Sequence, residues 1–495
     1  MTDIVRDAPL SWRDLAAVAA GARLILSPAT KDRISHARAL VEAIVAKGIR
    51  AYGVNTGVGA LSDTVVDVSR QRQLSRNLIM SHAVGVGAKL SALEARAIMA
   101  AAVNNHAHGY SGVRLDVVET MLDLLNAGFA PEVPSQGSVG YLAHMAHIAL
   151  LLLGEGHVLA DGERLTGAEA LKRVGREPLV LEAKEGLSIL NGTPCATGLA
   201  AIALSRAYRL LSWTDIAAAM SFESLNGQIA AFDPKSLALH ASPGLRETGR
   251  RLSALLANSE ILAQSAGART QDALSLRSVP QVHGAARDLL AYVGTVVDTE
   301  LRSVTDNPVV SGTEAAPEVF SEAHAVGAGI ALAMDALAPA MGLVASMSER
   351  RTDRLVNPLV SGLPPFLAAD SGANSGFMIL QYTALSLVGE NRRLAAPASL
   401  DAGVTSGLQE DLICHPTPAA LKLLALLDNA EAILAIELLA AAQAADLRTD
   451  GLAKAPATAA VWRAIRAIVP SYADDRPLAG DVETLRPLLH ATPIA

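Results

Sequence analysis

Few residues of this chain invite chemistry by type and spacing alone. The two cysteines, Cys195 and Cys414, can build neither a disulfide framework nor a Cys-based metal site. His144 and His147 stand three apart on an apolar stretch, the usual setting of satisfied core or interface histidines, and no His/Asp/Glu cluster has metal-ligand spacing. What remains are polar residues in breaker-rich stretches: Tyr52 at the head of YGVNTGVG (52–59), Asn191 before a glycine within Leu190–Pro194, and Arg277 in SLR. Taken singly each is bland. A loop tyrosine usually packs, Asn-Gly is a turn signal, and a lone arginine is normally solvated, although a guanidinium fork suits a carboxylate through bidentate geometry.

Such residues act only where a scaffold holds them, and here the scaffold is helical. The chain has 495 residues, 51% of them hydrophobic and only 3% aromatic, so a core of Ala, Leu and Val in closely packed helices is expected. Three- and four-residue spacings predict helices over 250–266 and 285–301, and long Ala/Leu-rich runs predict more over 324–350, 376–394 and 418–447. Few segments alternate strictly enough for strands. The breaker-rich stretches 52–59, 126–140, 190–194 and 363–374 read as loops on that scaffold, where binding groups concentrate. A working division is a loop-rich portion, 1–210, carrying Tyr52 and the GSVG loop, followed by a long-helix portion, 211–495. The two form one continuous unit. A net charge of -8 with no basic stripe argues against a nucleic-acid partner. No basic start followed by an apolar run marks a signal peptide, and no stretch reads as a membrane span. A cytoplasmic protein is the expectation.

Several loops, in order, resemble the histidine and aromatic amino-acid ammonia-lyase family. The matching strings include YGVNTGVG, LSRNLIMSHAVGVG (74–87), GYSGVR (109–114), GSVG (137–140), KEGLSILNGT (184–193), TQDALSLRSVPQVHGA (270–285), SVTDNP (303–308), SERR (348–351), QED (409–411) and LAIELLAAAQAADLR (434–448). The resemblance implies a mainly α-helical subunit with a long central bundle of the ammonia-lyase/fumarase-like type. It also implies a homotetramer whose active sites combine loops of several subunits, and a small amino-acid-like substrate. Expelling ammonia from an α-amino acid means removing a weakly acidic β-proton and a poor leaving group, beyond what side-chain acids and bases supply alone. The family's answer is an electrophile, 4-methylidene-imidazol-5-one (MIO), formed from an internal Ala-Ser-Gly. By position, Tyr52 matches the catalytic base, Asn191 the asparagine at the electrophile and substrate amine, and Arg277 the carboxylate-binding arginine. Glu410 matches the glutamate that holds an imidazole in the histidine-specific branch, and His82 its substrate-selecting histidine.

One departure stands out. Where the family continues from Gly-Ser-Val-Gly through Ala-Ser-Gly into Asp-Leu-Ala, this chain passes from Gly140 directly to Tyr141, Leu142 and Ala143. The flanks stay in register if three residues are absent. Either a mature ring has dropped out of the one-letter sequence between Gly140 and Tyr141, in which case MIO is the cofactor, or the chain is encoded without it and uses none. Other departures keep it company: Tyr141 replaces the family's aspartate, Leu274 a tyrosine, Val58 a phenylalanine, and His324 and Ala325 an asparagine and a phenylalanine. Tyr141, His144 and His324 are therefore candidate new pocket residues, with Tyr141 and His324 the substrate-binding candidates. The readings left open are an ammonia-lyase or aminomutase on a histidine-like substrate, an MIO-free elimination or addition on a carboxylated substrate whose leaving group departs more easily than ammonia, and a non-catalytic assembly partner.

Overall fold

The computed structural model describes residues 3–400 and 403–491. It is mainly α-helical, with three two-stranded sheets and one three-stranded sheet of short strands among the described residues. Two compact units divide the chain. The first gathers Met1–Ser205, Gly294–Asp335 and Pro397–Leu421, and the second Arg206–Val293, Ala336–Ala396 and Lys422–Ala495.

Small residues set the packing of the first unit. In helix Ala92–His106 every residue from Ala95 onward is buried. A Cβ on Gly198 would lie 2.8 Å from the backbone of Ala97, so helix Pro194–Ser224 can approach that closely only with glycine there. Local signals fix where helices begin. Ser91 and Glu94 form a capping box on Ala92–His106, and Ser27 caps Pro28–Ala46, which has proline in its first turn. Ala37, Leu40, Val41 and Ile44 of that helix form an apolar cluster with Ala51, Val54 and Val310. Ala51 and Val54 flank Tyr52, so the loop is anchored on both sides of its tyrosine.

The second unit is held by buried charge. Arg351 and Glu437 are both fully buried and joined at 2.6 and 2.8 Å, and Ser221 donates to the same carboxylate at 2.7 Å. Asp215 likewise takes His283 at 2.9 Å, Arg251 at 2.8 Å and Arg287 at 2.6 Å. The SERR and IELL strings are therefore two halves of one ion pair. Glu437→Ala should strand a buried guanidinium and cost about 3–5 kcal/mol. Chemical denaturation should show this as a lower midpoint, with a large part recovered in a Glu437→Leu/Arg351→Met double variant.

One expectation needs correcting. The run 250–266 is not one helix: Pro243–Leu255 ends, Asn258 adopts φ 61°, and Ser259 caps a new helix, Glu260–Ser265. The apolar spacing continues across the break, which is why periodicity alone merges the two. Two helical stretches, Glu185–Ser224 and His324–Val356, are also long and apolar enough to cross a membrane. The most apolar window of the first is 100% buried within the fold and that of the second 56% buried, as in core helices.

Candidate active site

Tyr52 owes its position to its own loop. Asn55 reaches back, accepting the Ala51 N–H at 2.9 Å and donating to the Ile49 carbonyl at 2.9 Å, while Thr56 accepts the Gly53 N–H at 3.0 Å. Gly53 sits at φ 61°, a conformation that favours glycine, and a Cβ there would stand 2.1 Å from the tip of the Leu187 side chain. The phenol itself accepts the Gly59 N–H at 3.0 Å.

Asn191 is placed from the other side. The helix before it, Glu185–Leu190, is pinned at its start by two ion pairs. Fully buried Lys184 meets Asp306 at 3.1 Å, and Glu185 receives Arg114 through two nitrogens at 2.8 and 2.7 Å. A Cβ on Gly186 would lie 2.3 Å from the Ser75 carbonyl, so this helix lies tight against Gln71–His82, the helix that ends in His82. Asn191 then donates to the carbonyl of Asn307 at 2.7 Å. The KEGLSILNG, GYSGVR and SVTDNP strings thus share one job, which is holding this asparagine.

Tyr52, Asn191, His82, Tyr141 and Glu410 all line one cavity of about 850 Å³ in the first unit. The remaining three candidates do not. His144 is buried on helix Ala143–Leu152, with its ring 3.2 Å from the Ser135 carbonyl. His324 pairs with Glu322 at 2.9 Å and lines a separate opening beside Glu300 and Thr305; from its segment the cavity takes Glu322, Ala323, Ala325 and Val326 instead. Arg277 belongs to the second unit, on the short helix Leu274–Arg277, where it donates to the Asp272 carbonyl. Glu322 and Asp411 are cavity residues that sequence reasoning missed. Asp411 was within reach, being part of the QED string. Glu322 carried no signal, since none of the matching strings includes it.

Burial raises the Tyr52 phenol above its ordinary value, the nearby Glu410 charge adds to the rise, and the Gly59 N–H offsets part of it. Tyr141 is pushed up to about 12, chiefly by burial and then by the Glu410 charge. Both phenols are therefore neutral near pH 7. Glu410 accepts the Thr405 hydroxyl.

The loop 137–143 shows how the chain closes without the tripeptide. Ser138 donates to the Tyr141 carbonyl at 2.8 Å and accepts the Gly140 N–H at 3.2 Å. Leu142 then takes φ 72° and ψ -78°, and the Ala143 N–H bonds the Tyr141 carbonyl at 3.1 Å. This is a γ-turn of the rarer, strained hand. Ala-Ser-Gly occurs nowhere in the 495 residues, and the span the ring would occupy is an ordinary peptide that places a phenol in the cavity wall. The residues present do not fit MIO.

The family model for aromatic amino acid lyase matches residues 10–467. A histidine ammonia-lyase of Symbiobacterium thermophilum is 43% identical over 98% of this chain and 96% of its own length. The crystal structure of histidine ammonia-lyase from Trypanosoma cruzi superposes with a TM-score of 0.90 at 36% identity, covering 99% of this chain and 93% of the other. Ergothionase from Treponema denticola, an ergothioneine-degrading enzyme, superposes with a TM-score of 0.92 at 28% identity over 99% and 98%.

Proposed function

The chain belongs to the aromatic amino acid lyase family and is a carbon–nitrogen lyase; on that footing we propose that it eliminates the α-nitrogen of a histidine-like α-amino acid without an MIO ring. The observation that carries this reading is the single cavity into which Tyr52, Asn191, Tyr141, His82 and Glu410 converge.

In this account Tyr52, once ionised, takes the β-proton, and the Gly59 N–H supports the resulting phenolate oxygen. Asn191 is held by Asn307 and presents its amide to the substrate's amine end. His82 faces the substrate side chain. Arg277 grips the carboxylate, brought to the cavity from a neighbouring subunit of a homotetramer. Four chains of 51.2 kDa are then the particle expected by light scattering.

Incubation with histidine and related α-amino acids, followed by near-ultraviolet absorbance for the conjugated acid and by assay of the released amine, tests the reading. Growth of both signals together is expected; the absence of both with every substrate offered would overturn it. A pH dependence follows as well. A base must be deprotonated to work, and Tyr52 titrates above the ordinary tyrosine value of 10. Hence kcat/KM should still be rising with pH in the alkaline range, and Glu410→Gln should move that limb to lower pH by removing a negative charge that opposes ionisation.

A further inference from the structure

We propose that Glu322 is the acceptor for the substrate's α-ammonium group, receiving it together with the side-chain oxygen of Asn191 at one end of the cavity. The proposal rests on the carbon–nitrogen lyase reading and names the residue that keeps the leaving nitrogen protonated.

Asn191 and Glu322 hang on a common support. Asn307 takes the Asn191 side-chain N–H on its backbone carbonyl at 2.7 Å and the Glu322 backbone N–H on its side-chain oxygen at 3.0 Å, and all three residues line the cavity. Asn191 still has its side-chain oxygen to offer a ligand. Glu322 is only half engaged. His324 approaches one carboxylate oxygen with its backbone N–H and with ring Nδ1, the latter at 2.9 Å, whereas the other oxygen, Oε1, is buried with no hydrogen-bond partner. Lys184, whose charge is felt at Glu322, cannot fill the gap. Its N–H groups go to the Ser111 carbonyl at 2.8 Å, the Ser188 hydroxyl at 2.6 Å and Asp306 at 3.1 Å. A carboxylate oxygen left this way is costly, and an N–H donor from a ligand relieves it.

The acids of the cavity divide between its ends. Glu410 acts on the Tyr52 and Tyr141 phenols, whereas the charges around Glu322 are His324, Asp306 and Lys184. Asp411 is exposed. Among the described residues lining the cavity none is Lys or Arg, so a cationic group arriving beside Asn191 meets Glu322 without a competitor of its own sign.

Elimination needs that nitrogen as an ammonium. The Tyr52 phenolate takes the β-proton, the C–H electron pair becomes the carbon–carbon double bond, and the C–N pair leaves on nitrogen as ammonia, which keeps its three hydrogens. The same phenolate can instead take an N–H proton, and the neutral amine left behind does not depart. A carboxylate hydrogen-bonded to the nitrogen favours the charged form and so disfavours this side reaction. Burial holds the Glu322 carboxyl above its ordinary range, and a bound cation opposes that rise, so each charge supports the other.

Calorimetry on full-length Tyr52→Phe chains, in which histidine is bound without being consumed, tests the proposal against imidazolepropanoate, the analogue that lacks the amine. Histidine is expected to bind at least about tenfold tighter than the analogue. Adding Glu322→Gln should weaken histidine by about 10–100-fold and leave the analogue unchanged or slightly tighter, which erases the preference. Glu322→Asp, which keeps the charge, should recover part of it, and far-ultraviolet circular dichroism checks that both variants fold. A merely structural Glu322 would weaken both ligands alike. That result, the lack of any preference before the substitution, or a preference that survives Glu322→Gln would overturn the proposal. Amine release whose kcat/KM is untouched by Glu322→Gln in otherwise native chains would sink this inference and leave the lyase reading standing. An amine preference that depends on Glu322, with no amine released from any substrate, would support the inference and sink the reading.

Discussion

Tyr52→Phe should lower kcat by about 10²–10⁴ while leaving substrate binding within a few-fold, because it deletes one hydroxyl and keeps the ring. The structure makes this a clean substitution. The Tyr52 oxygen takes a single backbone N–H, from Gly59, and the loop is held by Asn55 and Thr56 rather than by the phenol. Steady-state kinetics with binding measured separately would check it. A loss confined to KM would mean that Tyr52 binds substrate and the proton goes elsewhere.

Arg277→Ala should show the opposite signature. Losing a charge-assisted contact to the substrate carboxylate costs about 1.5–3 kcal/mol, or about 10–150-fold, and should fall mainly on KM. Arg277→Lys should recover only part of it, because an ammonium cannot reproduce the planar fork. The two variants together test assembly. If Arg277 serves a cavity on a neighbouring subunit, mixing Tyr52→Phe with Arg277→Ala chains during refolding creates sites that carry both native residues. Activity should then rise above that of either parent. Activity no higher than the two parents combined would place both residues of each site on one chain.

Much of the site was legible because its residues sit in loops whose local rules are strict. YGVNTG spells out its own fold: a glycine at positive φ, an asparagine bonding back to Ile49 and Ala51, and a threonine closing onto Gly53. Asn191, His82 and Glu410 were found in the same way, through strings. The role of other strings was not legible, since KEGL, GYSGVR and SVTDNP mean little until Lys184 meets Asp306 and Arg114 meets Glu185, pairs separated by 122 and 71 residues. Direction was harder still. His324 lies one residue from cavity-lining Ala323 and Ala325, yet it turns toward Glu322 and lines another opening. Glu410 lines the cavity as its string suggested, and its contact with Thr405, five residues earlier, was not legible. The helix break at Asn258 lies in a run whose apolar spacing never falters.

The missing tripeptide was plain in the letters, and the structure adds what its loss does locally. A shortened connection has to turn within one residue, Leu142 absorbs that turn at φ 72°, and Tyr141 is presented to the cavity as a result. The strain is of order 1–3 kcal/mol and is offset by the Ser138, Thr417 and Ala143 hydrogen bonds around it.

Peptide mapping by mass spectrometry across residues 138–147 of protein purified from the gene tests the central claim most directly. A fragment with Gly140 joined to Tyr141 by an unmodified amide, in enzyme that releases an amine from its substrate, is the predicted result. A fragment heavier by Ala, Ser and Gly less two waters would show a mature ring at that junction and contradict the account.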